Sequence, residues 1–82
     1  MTGSLRDPRY LDVIETLKEC RRDQGLTQAQ LAAKVGKIQQ YVSKYESCER
    51  RLDVIELVDI AAALNVSLAS ILDRAGLPLH TH

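Results

Sequence analysis

The 82-residue chain has no tryptophan and no phenylalanine, and its aromatic side chains are three tyrosines. Proteins that hold single-stranded nucleic acid stack its bases on aromatic platforms, and this sequence is too poor in them for that use. Two cysteines, Cys20 and Cys48, are too few for a disulfide scaffold and do not form the Cys-x-x-Cys of a metal knuckle. His80 and His82 make a His-x-His near the end of the sequence, but the further ligands that zinc needs are not evident. They read as a frayed tail. No apolar run approaches the ~20 residues of a membrane helix. The opening MTGSLRDPRY lacks the apolar stretch of a signal peptide. A cytoplasmic protein with reduced thiols is expected. There is also no glycine-rich phosphate loop, nucleophile elbow or plausible triad, so neither an enzyme nor a cofactor is expected.

Net charge is absent too, but that zero hides a segregation. From Lys18 to Arg51 there are eight basic residues against four acidic ones, a balance of +4. The rest of the chain has three against seven, a balance of −4. Such asymmetry is compatible with a polyanion partner for the middle of the chain, and equally with scattered solvated charges.

What the sequence does contain is punctuation for short helices. Asp7-Pro8 is a start signal, an acceptor followed by a residue whose missing N–H costs nothing in the first turn. Leu11, Val13, Ile14, Leu17 and Cys20 follow with helical spacing, and Gly25 offers a left-handed stop. Thr27 with Gln30, and Asp53 with Glu56, are capping boxes, each beside a staple pair (Leu26 and Leu31, Leu52 and Leu57). The helix opened by Asp53 is rich in apolar residues, including Ile55, Leu57, Val58, Ile60, Ala61 and Leu64, and is expected to cross the core. Asn65 ends it, and Ser67 caps a last helix that closes near Gly76. No hairpin dipeptide lies between alternating strands. The fold expected is all-α, with about five helices in a single domain over residues 1–82.

The helix between Gly36 and Cys48 carries the most information. Its polar residues Gln39, Gln40, Ser43, Lys44 and Ser47 fall within an arc of about 140°, and its apolar residues Ile38, Tyr41, Val42 and Tyr45 lie opposite. A glutamine amide presents a donor and an acceptor together, which suits adenine N6 and N7 in the major groove. Lys44 suits guanine O6 and N7, or a phosphate. Taken alone, this face reads first as plain solvated surface, which most amphipathic helices have.

A short capped helix, a glycine turn and a second short amphipathic helix make the helix-turn-helix order. LTQAQLAAKVGKIQQYVSKYE, with LKECRRDQG before it and RRLDVIELVDIAAALNVSLASIL after, resembles the phage-repressor/Cro (Xre-type) helix-turn-helix domains over residues 17–72. The resemblance implies a compact lambda-repressor-like fold, with residues 1–7 and 77–82 as flexible ends. It also implies that the helix beginning near Gln39 is the recognition helix. By the same resemblance Gln39, Gln40 and Lys44 match base-reading positions, with Ser43 and Tyr41 as secondary contacts, Tyr41 on the backbone. Gln28 matches a residue that holds a phosphate, and Lys37, Arg50 and Arg51 match backbone-binding positions. Arg21 and Glu46 match a partly buried ion pair.

Two positions depart from the family pattern. Ile38 stands where Ser, Thr or Pro is common, so the recognition helix lacks a capping side chain. Cys48 stands where glycine is favoured, at a strain of ~1–2 kcal/mol if the backbone is left-handed there. The function implied is a sequence-specific regulator of transcription on double-stranded DNA, a dimeric repressor reading a pseudo-palindrome. The alternatives are a helix-turn-helix module that binds a protein partner, or a regulator of the antitoxin or restriction-controller type. A homodimer is expected to form through the acidic stretch from Leu52 onward, with Leu68, Leu72, Leu77 and Leu79 as candidate contacts. No membrane partner is expected.

Overall fold

The computed structural model describes residues 7–78, and among these every regular element is a helix. They are α1 (Pro8–Asp23), α2 (Gln28–Lys34), α3 (Gln39–Glu46), α4 (Val54–Ala63) and α5 (Leu68–Arg74). The expectations for Leu79, His80 and His82 lie outside the described residues.

Four helices begin at a side chain that takes up an orphan backbone N–H, as the sequence predicts. The Asp7 carboxylate accepts from the Arg9 amide at 2.9 Å. Thr27 accepts from the Gln30 amide at 3.0 Å while Gln30 accepts from the Thr27 amide at 2.8 Å, and Asp53 and Glu56 form the same reciprocal box. Ser67 accepts from the Ser70 amide at 3.0 Å. Ile38, before α3, makes no side-chain cap.

All five helices end in one device: a residue with positive φ, flanked by two backbone bonds that reach back into the last turn. After α2, for example, Gly36 (φ 73°) donates to Ala33 at 3.1 Å and Lys37 donates to Ala32 at 2.9 Å. Cys48 occupies the equivalent place after α3 with φ 63°, where a Cβ is strained, so the glycine-like backbone is kept without glycine. Asn65 (φ 57°), whose short polar side chain tolerates that region better, ends α4.

These stops hold the helices short enough to enclose one core. It comprises Ile14, Leu17 and Cys20 of α1, Leu31 and Ala32 of α2, Val42 and Tyr45 of α3, and then Leu52, Ile60, Ala61, Leu64 and Ile71. α2 packs on α3, α1 on α3 and α5, and α4 on α5. Several long-range ties fasten α1 to the second half of the chain, among them Arg74, which donates to Cys20 Sγ at 3.1 Å. The Leu52 amide donates to the Tyr10 hydroxyl at 3.1 Å, and the Gln24 side-chain amide donates to the Leu64 carbonyl.

α4 lies against the core, as expected, but along one arc only. Ile60, Ala61 and Leu64 face the core, but Ile55 and Val58 are 67% and 44% exposed. Apolar residues surround this helix, and a helix packed on one side buries only one arc; Val58 and Ile55 lie about 160° and 220° round from Ile60. Ile38 (68% exposed) and Leu11 (40%) also stand out from the faces to which periodicity assigned them.

Candidate nucleic-acid interface

The α2–turn–α3 unit presents the polar face of α3 outward. Gln39 and Gln40, the first two residues of α3, are exposed, as is Lys44 one turn beyond, and Ser43 is half-buried between them. Lys44 has no carboxylate partner among the described residues. On the opposite side of α3, Val42 and Tyr45 are buried completely. The face expected from helical spacing is therefore a real surface, held rigidly by a packed back.

Behind it lies a buried ion pair. Arg21 Nε donates to Glu46 Oε2 at 2.7 Å and Arg21 Nη2 to Glu46 Oε1 at 3.0 Å. The remaining Nη1 donates to the Leu26 carbonyl at 2.8 Å, tying in the α1–α2 turn. The bonds to Glu46 hold the Arg21 guanidinium above its ordinary pKa. Gln28 Nε2 donates to Glu46 Oε1 at 3.0 Å, and Gln39 Nε2 donates to Gln28 Oε1 at 3.5 Å. Arg21, Glu46, Gln28 and Gln39 thus form one hydrogen-bonded chain from the core to the outer face. Next to Glu46, the Tyr45 hydroxyl is buried with no hydrogen-bond partner among the described residues. Burial, and secondarily the Glu46 charge, push its pKa well up.

The other expected backbone contacts are placed differently. Tyr41 is half-buried and meets the Tyr45 ring edge-on at 5.9 Å. Its own ring lies 5.6 Å from the Lys37 ammonium and 5.0 Å from the Arg50 guanidinium. Arg50 is clamped by Glu56, with contacts of 3.1 and 2.6 Å, which raises the pKa of the arginine and lowers that of the carboxyl. Arg51 lies over the Tyr10 ring at 5.3 Å. Lys37 and Arg51 are exposed without a carboxylate partner among the described residues; Arg50 has one.

Sequence reasoning missed two features. One is the Arg50–Glu56 clamp, because Glu56 was already assigned as a cap; it does both jobs, and the six-residue spacing across a loop gives no periodic signal. The other is an open cleft of about 210 Å³ lined by Lys18, Arg21, Arg22, Gln28, Ser43, Glu46 and Ser47. Its exposed Arg22 has no acidic partner among the described residues, and the adjacent Arg21-Arg22 pair was the available hint.

The family model described as "Helix-turn-helix" matches residues 17–71, from the middle of α1 to α5, which is more than half of the chain. The chain belongs to the Xre-type helix-turn-helix family. This is a family of DNA-binding regulators of transcription, and the matched segment carries no catalytic motif. The chain is also similar to an uncharacterized HTH-type transcriptional regulator, y4dJ, of Sinorhizobium fredii. The two are 47% identical over 47 residues, which make up 57% of this chain and 61% of that protein. Among the described residues, no three His, Cys, Asp or Glu side chains are gathered to hold a metal ion, and no single helix is long and apolar enough to cross a membrane.

Proposed function

We propose that this family member is a sequence-specific repressor that reads the major groove of double-stranded DNA with α3, as a two-fold dimer on a pseudo-palindromic operator. The observation that carries the reading is the exposed row Gln39, Gln40 and Lys44, backed by the buried Val42 and Tyr45. Two amides and an ammonium supply the donors and acceptors that base edges require, and a rigid back keeps them in register. Ser43 supports this row. Lys37, Arg51, Tyr41 and the Gln28 side chain serve the phosphate backbone, and Arg22 joins them from its cleft. Arg50 contributes chiefly by fixing the Tyr41 ring and the loop before α4.

One α3 reads only a few base pairs, too few to single out one site in a genome. A second copy supplies the other half-site about 34 Å away. In the acidic stretch expected to hold the dimer contact, Leu68, Leu72 and Leu77 are half-buried within the monomer. Among the described residues there, the exposed large apolar side chains are Val54 (70%), Ile55 (67%) and Val58 (44%) on the outer face of α4. An apolar cleft of about 150 Å³, lined by Tyr10, Val13, Leu52, Val54 and Leu57 among others, adjoins them. Grouped apolar exposure of this kind marks a contact surface, and we assign it to the second copy.

Selection of binding sites from random duplexes supplies the operator. On it, Gln39→Ala, Gln40→Ala and Lys44→Ala are each expected to lose ~1–3 kcal/mol of binding free energy and to relax preference at one base pair. Lys37→Ala and Arg51→Ala should each make the slope of log K against log salt shallower by roughly 0.9. Unchanged affinity in all three α3 variants, with native circular dichroism, refutes the reading. Val58→Asp is expected to abolish the dimer in sedimentation. If the unsubstituted chain stays monomeric at high micromolar concentration, the α4 face belongs to a different partner.

A further inference from the structure

We propose that Glu56 is a positioning residue which, through Arg50 and Tyr41, sets the angle between α3 and α4 and so the half-site spacing that a dimer accepts. This rests on the assignment of α3 to the DNA groove and of the outer face of α4 to the second copy. In a two-fold dimer, the distance between the two α3 helices depends on how each is held against its own α4. The main chain alone does not fix that. Residues 47–53, between the two helices, form no regular element. α3 packs chiefly on α1 and α2, and α4 on α5.

Side chains make the link instead. Both carboxylate oxygens of Glu56, on the first turn of α4, hold Arg50: Nη1 donates to Oε1 at 3.1 Å and Nη2 to Oε2 at 2.6 Å. The same guanidinium lies 5.0 Å from the centre of the Tyr41 ring, in the first turn of α3. A guanidinium is planar and stacks on a ring while its fork is bound, so Arg50 serves both helices at once. Tyr41 in turn meets the fully buried Tyr45 edge-on at 5.9 Å, so the link ends in the core. Burial first, and then the Glu56 charge, raise the pKa of the Tyr41 hydroxyl, as fits a ring lying beside the start of α4. Glu56 is itself held in place, because its Oε1 also accepts from the Asp53 amide at 2.9 Å. Around α4 it stands about 100–160° from Val54, Ile55 and Val58, so the clamp and the exposed apolar face use different sides of one helix. A copy docked on that face leaves the clamp in place.

Adding or removing one base pair between half-sites moves the second by about 3.4 Å and turns it by about 35°. A rigid angle between α3 and α4 makes that change costly, and a loose one absorbs it. The test uses the selected operator with its central spacing kept, shortened by one base pair or lengthened by one, and an isolated half-site. Glu56→Gln keeps an acceptor for the Asp53 amide but loses the charge that holds Arg50. Arg50→Met removes the guanidinium and leaves the capping box intact, which covers the case in which the first variant folds poorly. In both, the affinity lost on altering the spacing is expected to be about fivefold smaller than in the unsubstituted chain, the factor equivalent to ~1 kcal/mol for a partly exposed pair. Glu56→Gln should bind the isolated half-site as the unsubstituted chain does. A loss of stability alone lowers affinity for every duplex alike and leaves their ratios unchanged. In the free protein, residual dipolar couplings should show α3 reoriented or more mobile relative to α4 in both variants. An undiminished spacing penalty in either folded variant overturns the proposal. If the unsubstituted chain shows no preference for spacing, the dimeric reading is what has failed; unaltered couplings would then overturn the clamp as well, and altered ones would uphold the positioning of α3 on α4.

Discussion

Two arginine–glutamate pairs of nearly the same geometry hold this domain together in different ways. Arg21 and Glu46 meet in two bonds of 2.7 and 3.0 Å, and Arg50 and Glu56 in two of 3.1 and 2.6 Å. The first pair is 10% and 4% exposed, the second 41% and 19%. The first joins helices 25 residues apart in sequence, the second residues six apart around one loop. Bond length does not distinguish them; burial and sequence separation do. Desolvation makes the inner pair costly to break, because either partner left alone is a charge that water reaches only at its edge. The outer pair remains partly hydrated, and losing one partner lets solvent take over. The inner pair therefore fixes how α1, α2 and α3 sit together. The outer pair shapes the loop that leads from α3 into α4.

The largest effect expected is at the inner pair. Glu46→Ala leaves the Arg21 guanidinium buried and unpaired and should lower unfolding stability by ~3–5 kcal/mol in a urea titration. A loss under about 1 kcal/mol would make the two pairs equivalent and break the contrast. Replacing both partners sharpens it. Arg21→Met combined with Glu46→Leu removes both charges, and is expected to recover most of that loss.

Tyr45 adds a buried polar group with the opposite history. It stands next to Glu46 in sequence and is fully buried, yet its hydroxyl has no partner among the described residues. A buried hydroxyl without a bond costs ~1–3 kcal/mol, so Tyr45→Phe is expected to stabilise the domain by about 1 kcal/mol in urea titration. A loss of similar size would show that the hydroxyl is satisfied. The inner pair would then no longer differ from its neighbour in how its polar atoms are compensated.

The helices were legible in the sequence because their ends are local chemistry. Thr27 with Gln30 and Asp53 with Glu56 announce helix starts within four residues, and Cys48 betrays its left-handed backbone by standing in a glycine's place. The outward polar face of α3 followed from spacing alone. Legibility stopped where the decision is made in three dimensions. Periodicity cannot tell which apolar arc of α4 faces the core, because apolar residues surround the helix; the fold leaves Ile55 and Val58 outside. Arg50 matched a backbone-binding position, but its engagement with Glu56 depends on how the loop folds back. The bond from Gln28 to Glu46 joins α2 to the far end of α3, and no local pattern encodes it. Resemblance gave the ion pair and spacing gave the outer face; only the folded chain joins them.

The smallest effect expected is at the outer pair, where the sign of its pH dependence provides a further check. The Arg50 guanidinium, and then the Asp53 amide, hold the Glu56 carboxyl below its ordinary value of 4.5. The folded state therefore binds this proton less readily than the unfolded chain, so stability from Glu56 is fully present above about pH 4.5 and is lost as pH falls through the lower, folded-state value. Glu56→Gln keeps a cap acceptor but removes the charge, and should cost no more than about 1 kcal/mol at neutral pH. Its stability should fall less steeply than that of the unsubstituted chain below pH 4.5. High salt screens a half-exposed pair, so the difference between the two proteins at neutral pH should also shrink in 1 M salt. If the Glu56→Gln deficit persists undiminished in salt, the outer pair behaves as a buried one, and burial is not what separates it from Arg21 and Glu46.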